Sequence, residues 1–253
     1  MASDPLFDRW VLRPRPRPDA RVRLFCLPYA GAGASTFYEW PKRLSHTIEM
    51  CAIQLPGREN RLAETPYRDS VSLARVLLRV LSPYLDRPFA VFGHSMGALL
   101  AFELVTQLAA SAGPPPARLF VSASRPPHFP LRRPPMRGAS DADLLAEVMR
   151  LGGTPAAVLE CRELMLLALP TLRADFAVHE THRSEAVVDV PITAFCGTAD
   201  PEISADEMAA WGARTRAEFQ LRVVNGDHFF LRTERDTLVA LLVADLDASL
   251  NGG

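Results

Sequence analysis

The sequence lacks several features that define large classes of proteins. Its charge has no strong sign, because 28 basic residues face 29 acidic ones and the formal net charge is −1. A nucleic-acid-binding protein ordinarily carries an excess of basic residues, so this balance argues against a nucleic-acid partner. No apolar run reaches the ~18 residues that span a bilayer. We therefore expect no membrane partner.

Paired cysteines and an export signal are also missing. The four cysteines are widely spaced, form no CxxC pair, and are interpreted as buried thiols rather than as disulfides or a zinc site. The segment MASDPLFDRW has no basic stretch followed by an apolar core, so it predicts no secretory signal and, by default, a cytoplasmic protein. The cysteines are Cys26, Cys51, Cys161 and Cys196.

The composition that remains is that of a globular protein. It is 48% hydrophobic and 23% charged, which excludes disorder of the whole chain. Proline is high, at 22 of 253 residues. The prolines concentrate at residues 114–135 and in the RPRPRP run at 13–18, so we expect them to separate regular elements rather than interrupt them.

Short apolar runs recur along the chain, as is typical of strands buried on both faces of a parallel sheet. Helical patterns lie between them at 70–82, 95–110 and 234–250. This alternation predicts an α/β protein with a mostly parallel sheet flanked by helices. The predicted strands are VRLFCL at 22–27, MCAIQL at 50–55, FAVFG at 89–93, RLFVSA at 118–123, ITAFCG at 192–197 and LRVVNG at 221–226.

The alternation breaks between residues 125 and 188, where two or three helical patterns follow a proline-rich stretch with no strand run. A structureless loop of this length is uncommon in a compact domain. The sequence thus predicts an N-terminal arm at 1–20, a core formed by 21–124 and 189–253, and a helical lid at 125–188. Apolar side chains of the lid are candidates for lining a channel or for packing on the sheet.

The strongest chemical signal is FGHSMGA at 92–98, between a predicted strand and a predicted helix. This is the context of a G-x-S-x-G nucleophile elbow. The nucleophile occupies a strained turn, so the residues two before and two after it must be small. Gly93 and Gly97 meet that requirement around Ser95, which is therefore the predicted nucleophile.

A serine nucleophile needs a base, and the base needs an acid that orients it. His228 is the predicted base, because it follows the last strand and precedes the last helix. The other histidines after Ser95 are His128, His179 and His182, which we interpret as surface or cleft residues.

The acid is expected after the preceding strand, at the end of ITAFCGTAD, which makes Asp200 the candidate. Asp227 adjoins His228 in sequence and would not easily orient its ring, and Asp175 comes too early for the end of a strand. An oxyanion hole needs two backbone donors. One is expected from Met96 and the other from the loop within LFCLPYAGAGAS at 24–35.

Six motifs together resemble the type II thioesterases that accompany polyketide synthases and nonribosomal peptide synthetases. The similarity runs from about residue 20 to 248. It implies an α/β-hydrolase fold with a helical lid, a Ser95–Asp200–His228 triad, and oxyanion donors at Ala30 and Met96. The motifs are LPYAGAGAS, LPGRENR at 55–61, FGHSMGALLAFEL at 92–104, LRADF at 172–176, GTADP at 197–201 and GDHFF at 226–230.

The resemblance also implies the substrate, an acyl or aminoacyl group in thioester link to the phosphopantetheine arm of an acyl or peptidyl carrier domain. Tyr29, His94 and Phe229 are predicted to bind it. We expect a monomer that needs no cofactor or metal and edits stalled assembly lines in antibiotic biosynthesis. A small-molecule carboxylesterase and a product-releasing thioesterase are the alternatives. Candidates for docking the carrier or its arm are Arg58, Arg61, Arg125, Arg132, Arg133 and Arg137.

Overall fold

In a computed structural model, which describes residues 5–154 and 160–251, the chain forms a seven-stranded sheet in the order β1-β3-β2-β4-β5-β6-β7. Only β1 runs antiparallel to its neighbour, and the other pairs are parallel. The predicted mostly parallel sheet is confirmed. The strands are β1 (Val11–Leu12), β2 (Val22–Leu27), β3 (Ile48–Ile53), β4 (Phe89–His94), β5 (Arg118–Ser122), β6 (Ile192–Gly197) and β7 (Phe219–Val224).

Helices connect the parallel strands and cover the sheet. The predicted helices at 70–82, 95–110 and 234–250 are present to within one residue at each end. No helix in the described ranges is long and apolar enough to cross a membrane. The helices are α1 (Pro5–Trp10), α2 (Ser70–Leu81), α3 (Met96–Ala110), α4 (Asp141–Leu151), α5 (Arg162–Thr181), α6 (Ala205–Ala209), α7 (Phe230–Thr233) and α8 (Arg235–Asn251). Short 3-10 turns occur at Ala34–Phe37, Trp40–Lys42, Glu59–Arg61, Ser82–Tyr84, Met136–Gly138 and Ala210–Arg214.

Two strands are displaced by two residues from their predicted positions. β3 begins at Ile48 rather than Met50 because Glu49, a charged residue, is buried inside it and pairs with Arg23 of β2 at 3.2 Å. β7 is a partly exposed edge strand, so it lacks the continuous apolar pattern that marks a buried one.

The N-terminal segment joins the sheet. β1 pairs with β3, and Phe7, Trp10 and Val11 are buried in the same apolar cluster as α2 and α3. The Arg-Pro run is anchored through Arg17. Its guanidinium donates to the carbonyls of Pro41 at 2.7 Å, Leu44 at 3.2 Å and Ile48 at 2.9 Å, and also to that of Ser45.

The apolar core lies on both faces of the sheet. On one face α2 and α3 pack against inward side chains of the strands, and α3 is buried on almost every side. On the other face the core consists of the turn around Trp40, the rings of Phe92 and Phe195, and the buried side of α8. Helices on both faces hold the carboxyl ends of β4, β6 and β7 in fixed positions, and the predicted catalytic residues follow those ends.

The described part of the region between β5 and β6 contains helices and no strand. Ser140 caps the start of α4 by accepting from the Asp143 amide at 3.1 Å, and Gly152 ends it in the left-handed conformation. α4 and α5 bury a small apolar cluster of their own. Its members are Leu144, Val148, Met165, Leu169 and Leu172.

Candidate active site

Ser95 lies at the sharp turn between β4 and α3. Its φ of 52° and ψ of −116° are unusual for a residue with a side chain. A Cβ at Gly93 would lie 2.0 Å from the Gly97 carbonyl oxygen, and one at Gly97 would lie 2.3 Å from that of Leu27. Both positions therefore require glycine, as the elbow pattern predicts. The Ser95 amide donates to the Ser122 carbonyl at 2.8 Å, which joins the turn to β5.

His228 and Asp200 meet at the carboxyl edge of the sheet. The Nδ1 atom of His228 lies 2.9 Å from Asp200 Oδ2, and because a carboxylate only accepts, the ring donates from Nδ1. The other carboxylate oxygen accepts from the amides of Glu202 at 2.8 Å and Ile203 at 3.1 Å. The Asp200 side chain is completely buried. These bonds fix the tautomer that leaves His228 Nε2 able to accept a proton.

A cavity of about 190 Å³ joins the predicted site residues. Ser95, His228, Ala30 and Met96 all line it. Over the described residues, no hydrogen bond links the Ser95 hydroxyl to the His228 ring. The amides of Ala30 and Met96 likewise donate to no described residue, so both are available to a bound group.

The three residues predicted to bind substrate occupy two different environments. Tyr29 and Phe229 line the cavity, and their rings meet edge to face at 5.1 Å. His94 lies behind the site, fully buried. Its Nε2 donates to the His228 carbonyl at 2.9 Å, and its Nδ1 accepts from the Ser122 hydroxyl at 2.9 Å. Burial and then the nearby His228 hold the pKa of His94 well below its usual value, so a neutral ring supports the loop that carries His228.

The remaining histidines do not contact Asp200. His179 lines the cavity on α5, where burial and then Arg125 lower its pKa to about 4. His182 also lines the cavity, and its Nδ1 bonds to the Ser70 hydroxyl at 2.8 Å. Ser70 is only 1% exposed and lies outside the cavity lining, so this second serine–histidine pair does not present a nucleophile to a substrate.

The other candidate acids have structural partners. The Asp227 carboxylate accepts from the Phe229 amide at 2.7 Å. Asp175 makes a buried two-pronged ion pair with Arg58, at 2.7 and 2.8 Å. Sequence reasoning missed this pair, although LPGRENR and LRADF each contain one of its members. Arg58 therefore does not offer a free cation to a carrier.

The remaining candidate docking arginines are paired with carboxylates. Arg61 is buried, pairs with Glu64 at 2.6 Å and lies over the Trp10 ring at 4.0 Å. Three of these candidates line the cavity, and each lies within 4 Å of a glutamate carboxylate. The pairs are Arg125 with Glu207 at 3.6 Å, Arg132 with Glu207, and Arg133 with Glu202 at 3.2 Å, while Arg137 pairs with Glu180 at 3.5 Å.

No group of three or more histidine, cysteine, aspartate or glutamate side chains within the described ranges is arranged to hold a metal ion. The predicted site residues contribute to the cavity a serine in a strained turn, an oriented imidazole and two unused backbone amides, a set of groups capable of nucleophilic attack on a carbonyl.

Comparisons with known proteins agree with this chemistry. The family model described as thioesterase domain matches residues 22–246. The chain is 40% identical over 249 residues to linear gramicidin dehydrogenase LgrE of Brevibacillus parabrevis, covering 96% of this chain and 95% of that protein. It is 37% identical over 241 residues to gramicidin S biosynthesis protein GrsT of Aneurinibacillus migulanus, covering 94% of each.

A solved structure gives the same result. The type II thioesterase BorB from the borrelidin biosynthetic cluster is 35% identical, with a TM-score of 0.86 over 97% of this chain and 99% of that one. This likeness confirms the predicted α/β-hydrolase fold. The word dehydrogenase in one relative's name describes that protein, whereas the matching family model describes a thioesterase. Because that model covers most of the sequence, the chain belongs to the thioesterase family.

Proposed function

We propose that this chain is a serine thioesterase that releases acyl or aminoacyl groups from the phosphopantetheine arm of carrier domains, with Ser95, His228 and Asp200 as its triad. The observation that carries the proposal is the convergence of the strained Ser95 turn and the Asp200-oriented His228 ring on one cavity. Hydrogen bonds between catalytic groups are often long before substrate binds, so a separated Ser95 and His228 are compatible with these roles.

In the first half of the reaction, His228 Nε2 takes the proton of the Ser95 hydroxyl as the oxygen attacks the thioester carbonyl. The amides of Ala30 and Met96 donate to the developing oxyanion. The carbon–sulfur bond breaks, the sulfur receives the proton from His228, and an acyl-Ser95 ester remains.

In the second half, His228 deprotonates a water that attacks the ester, and the acid leaves as the proton returns to Ser95. The Asp200 carboxylate holds the ring and stabilises its charged form in both steps. The phosphopantetheine belongs to the substrate, and the mechanism uses no cofactor of the enzyme itself. Tyr29 and Phe229 line the path to the carbonyl.

The pathway context rests on the relatives. One is named for gramicidin S biosynthesis and another for the borrelidin biosynthetic cluster. We therefore assign the chain an editing role, in which it clears misacylated or stalled carriers of a polyketide or nonribosomal peptide assembly line as a monomer. A product-releasing thioesterase and a small-molecule carboxylesterase share the same triad and differ in the acyl group or in the need for a carrier.

The test is a comparison of two serine variants. Ser95→Ala should lower hydrolysis of an acyl-carrier thioester by ~10⁴-fold or more, because the nucleophile is removed. Ser70→Ala, which breaks the other serine–histidine hydrogen bond, should retain hydrolysis within a few fold. The readout is release of free acid from the carrier, followed by mass spectrometry.

Two results would contradict the proposal. Near-normal hydrolysis by Ser95→Ala would remove Ser95 as the nucleophile. Equal turnover of an acyl-carrier and of a simple soluble ester by the wild-type chain would instead favour the carboxylesterase. A panel of acyl groups of varied length and branching on the same carrier separates editing, which tolerates many groups, from release of one product.

A further inference from the structure

One carboxylate connects the wall of the cavity to the loop that carries the Ala30 amide. Asp175 lies inside α5 and its side chain is only 3% exposed. Its Oδ2 atom accepts from the Gly31 amide at 2.7 Å and from Arg58 Nη1 at 2.7 Å, while Oδ1 accepts from Arg58 Nη2 at 2.8 Å. All three contacts are charge-assisted, and such bonds are stronger than neutral ones.

Arg58 provides a second hydrogen bond to the loop. The same Nη1 atom donates to the Ala32 carbonyl at 3.0 Å, so the guanidinium contacts the loop as well as the helix. Each member of this buried ion pair thus bonds to the loop: Asp175 accepts from the Gly31 amide, and Arg58 donates to the Ala32 carbonyl. Leu172, one turn before Asp175, also packs closely on Gly31.

The position of this loop matters because Ala30 precedes Gly31 directly. Ala30 lines the cavity and its amide donates to no described residue, as expected of an oxyanion donor. A donor must be aimed to a fraction of an ångström at the place where negative charge develops. The Gly31 amide belongs to the peptide between Ala30 and Gly31. By holding this peptide, Asp175 restricts the orientation of the adjoining peptide, which carries the Ala30 amide.

The helix that carries Asp175 also forms a wall of the cavity, through Phe176 and His179. If α5 moved away from the loop, Arg58 would lose a buried counter-ion and the Gly31 amide its acceptor, which is costly in a desolvated place. The loop and the helix are therefore expected to move together rather than separately.

We propose that Asp175 is a positioning residue that couples the oxyanion loop to α5, so that the site stabilises an oxyanion only while α5 lies against the loop. The inference rests on the proposed thioesterase function. An acyl group that binds along α5 without displacing it would thereby leave the Ala30 amide in position to donate to the oxyanion. An acyl group that displaces the helix would move this amide away.

The test compares two substitutions on the same helix. Asp175→Asn keeps the shape of the side chain but weakens the contacts to Gly31 and Arg58. Thr171→Val removes the hydrogen bond from the Thr171 hydroxyl to the Gly57 carbonyl, which joins α5 to the loop after β3 and makes no direct contact with Gly31 or Ala32. Asp175→Asn should lower kcat for an acyl thioester by ~10- to 100-fold, somewhat less than direct loss of an oxyanion donor. KM should stay within about threefold, since uniform binding is unchanged.

A second readout reports on the oxyanion hole directly. Inhibition by an acyl trifluoromethyl ketone, whose adduct with Ser95 carries an oxyanion, should weaken by about the factor by which kcat/KM falls. Thr171→Val should change both quantities by less than threefold. Circular dichroism establishes that each variant is folded. If Asp175→Asn does not fold, Asp175→Asn with Arg58→Gln removes both buried charges and serves in its place, with the same expected loss.

The inference is overturned if a folded Asp175 variant retains kcat and inhibitor affinity within threefold of the wild type, or if Thr171→Val loses as much as Asp175→Asn. Failure of the wild-type chain to hydrolyse any thioester would instead contradict the proposed function. In that case the rate at which a fluorophosphonate labels Ser95 still decides the role of Asp175, because phosphonylation uses the same oxyanion hole.

Discussion

The carboxyl edge of the sheet and the helical region between β5 and β6 border the same cavity but are built differently. At the sheet edge, backbone contacts leave no space for even one methyl group at Gly93 or Gly97, and Asp200 is completely buried. In the helical region, α4 and α5 share a small apolar cluster. Several of its other large apolar side chains lie 45–60% exposed, namely Met149, Leu164, Leu166 and Leu167.

This difference separates two demands on the enzyme. Attack on a carbonyl requires groups held to a fraction of an ångström, and the sheet edge provides them through tight backbone packing. Accommodation of different acyl groups requires a wall that can be altered at small cost. The cavity-facing side chains of the two helices, such as Leu151 and Phe176, provide such a wall, because they can change without altering the backbone at the sheet edge. We expect reactivity to depend on the sheet edge and on the Asp175 contact of α5, and acyl preference to depend on the other side chains with which the helices line the cavity.

The largest expected difference is in kcat, between substitutions of an aspartate at the sheet edge and of an aspartate in the helical region. Asp200→Asn, at the sheet edge, should lower kcat by ~10⁴-fold, because the ring of His228 would no longer be held in the tautomer that accepts a proton from serine. Asp141→Asn, at the exposed start of α4, should leave kcat within about twofold. Steady-state hydrolysis of one acyl thioester measures both. A loss of less than tenfold in a folded Asp200→Asn protein would remove Asp200 from the triad.

A smaller difference is expected in the free energy of unfolding, between alanine substitutions of a glycine in each region. In Gly97→Ala the new methyl group would lie 2.3 Å from the Leu27 carbonyl oxygen, so the free energy of unfolding should fall by about 4 kcal/mol or more. Gly152→Ala, at the end of α4, meets open space and only has to adopt a φ of +76°, which costs about 1 kcal/mol. Urea denaturation gives both values. Equal losses would show that the two regions are equally constrained.

The smallest effect concerns pH. The pKa of His179 is about 4 in the folded chain and ~6.5 when unfolded, so the folded state binds fewer protons between these values. The free energy of unfolding should therefore fall as pH is lowered from 6.5 to 4. His179→Gln should remove roughly 1 kcal/mol of that decline, less than the full shift implies because the ring borders the cavity and is partly solvated. Unchanged pH dependence of the melting temperature in this variant would contradict the assignment.

Local patterns explain which features were predictable from the sequence. The elbow around Ser95 was predictable because its steric demand falls on residues two positions away. The buried parallel strands were equally clear, since burial on both faces leaves continuous apolar runs. The candidate base and acid then followed from their places after the last two strands.

Features that depend on contacts distant in the sequence were not predictable. Arg58 and Asp175 are 117 residues apart, and nothing in either motif indicates that they pair. The role of His94 likewise depends on where the His228 loop packs, so a residue next to the nucleophile was expected to touch substrate. β1 consists of two residues and is too short to show any periodicity.

The N-terminal segment belongs to the folded unit, so a fragment that keeps the fold has to include it. The family match begins at residue 22, yet Phe7, Trp10 and Val11 are buried and β1 covers one side of β3. A fragment trimmed to the matched range would leave Ala52 and Ile53 of β3 without their strand partner, beside a newly exposed apolar surface. Such edges promote strand-to-strand association between molecules. We therefore expect the short β1 to lower the tendency of this edge to associate, although β1 lies outside the range matched by the family model.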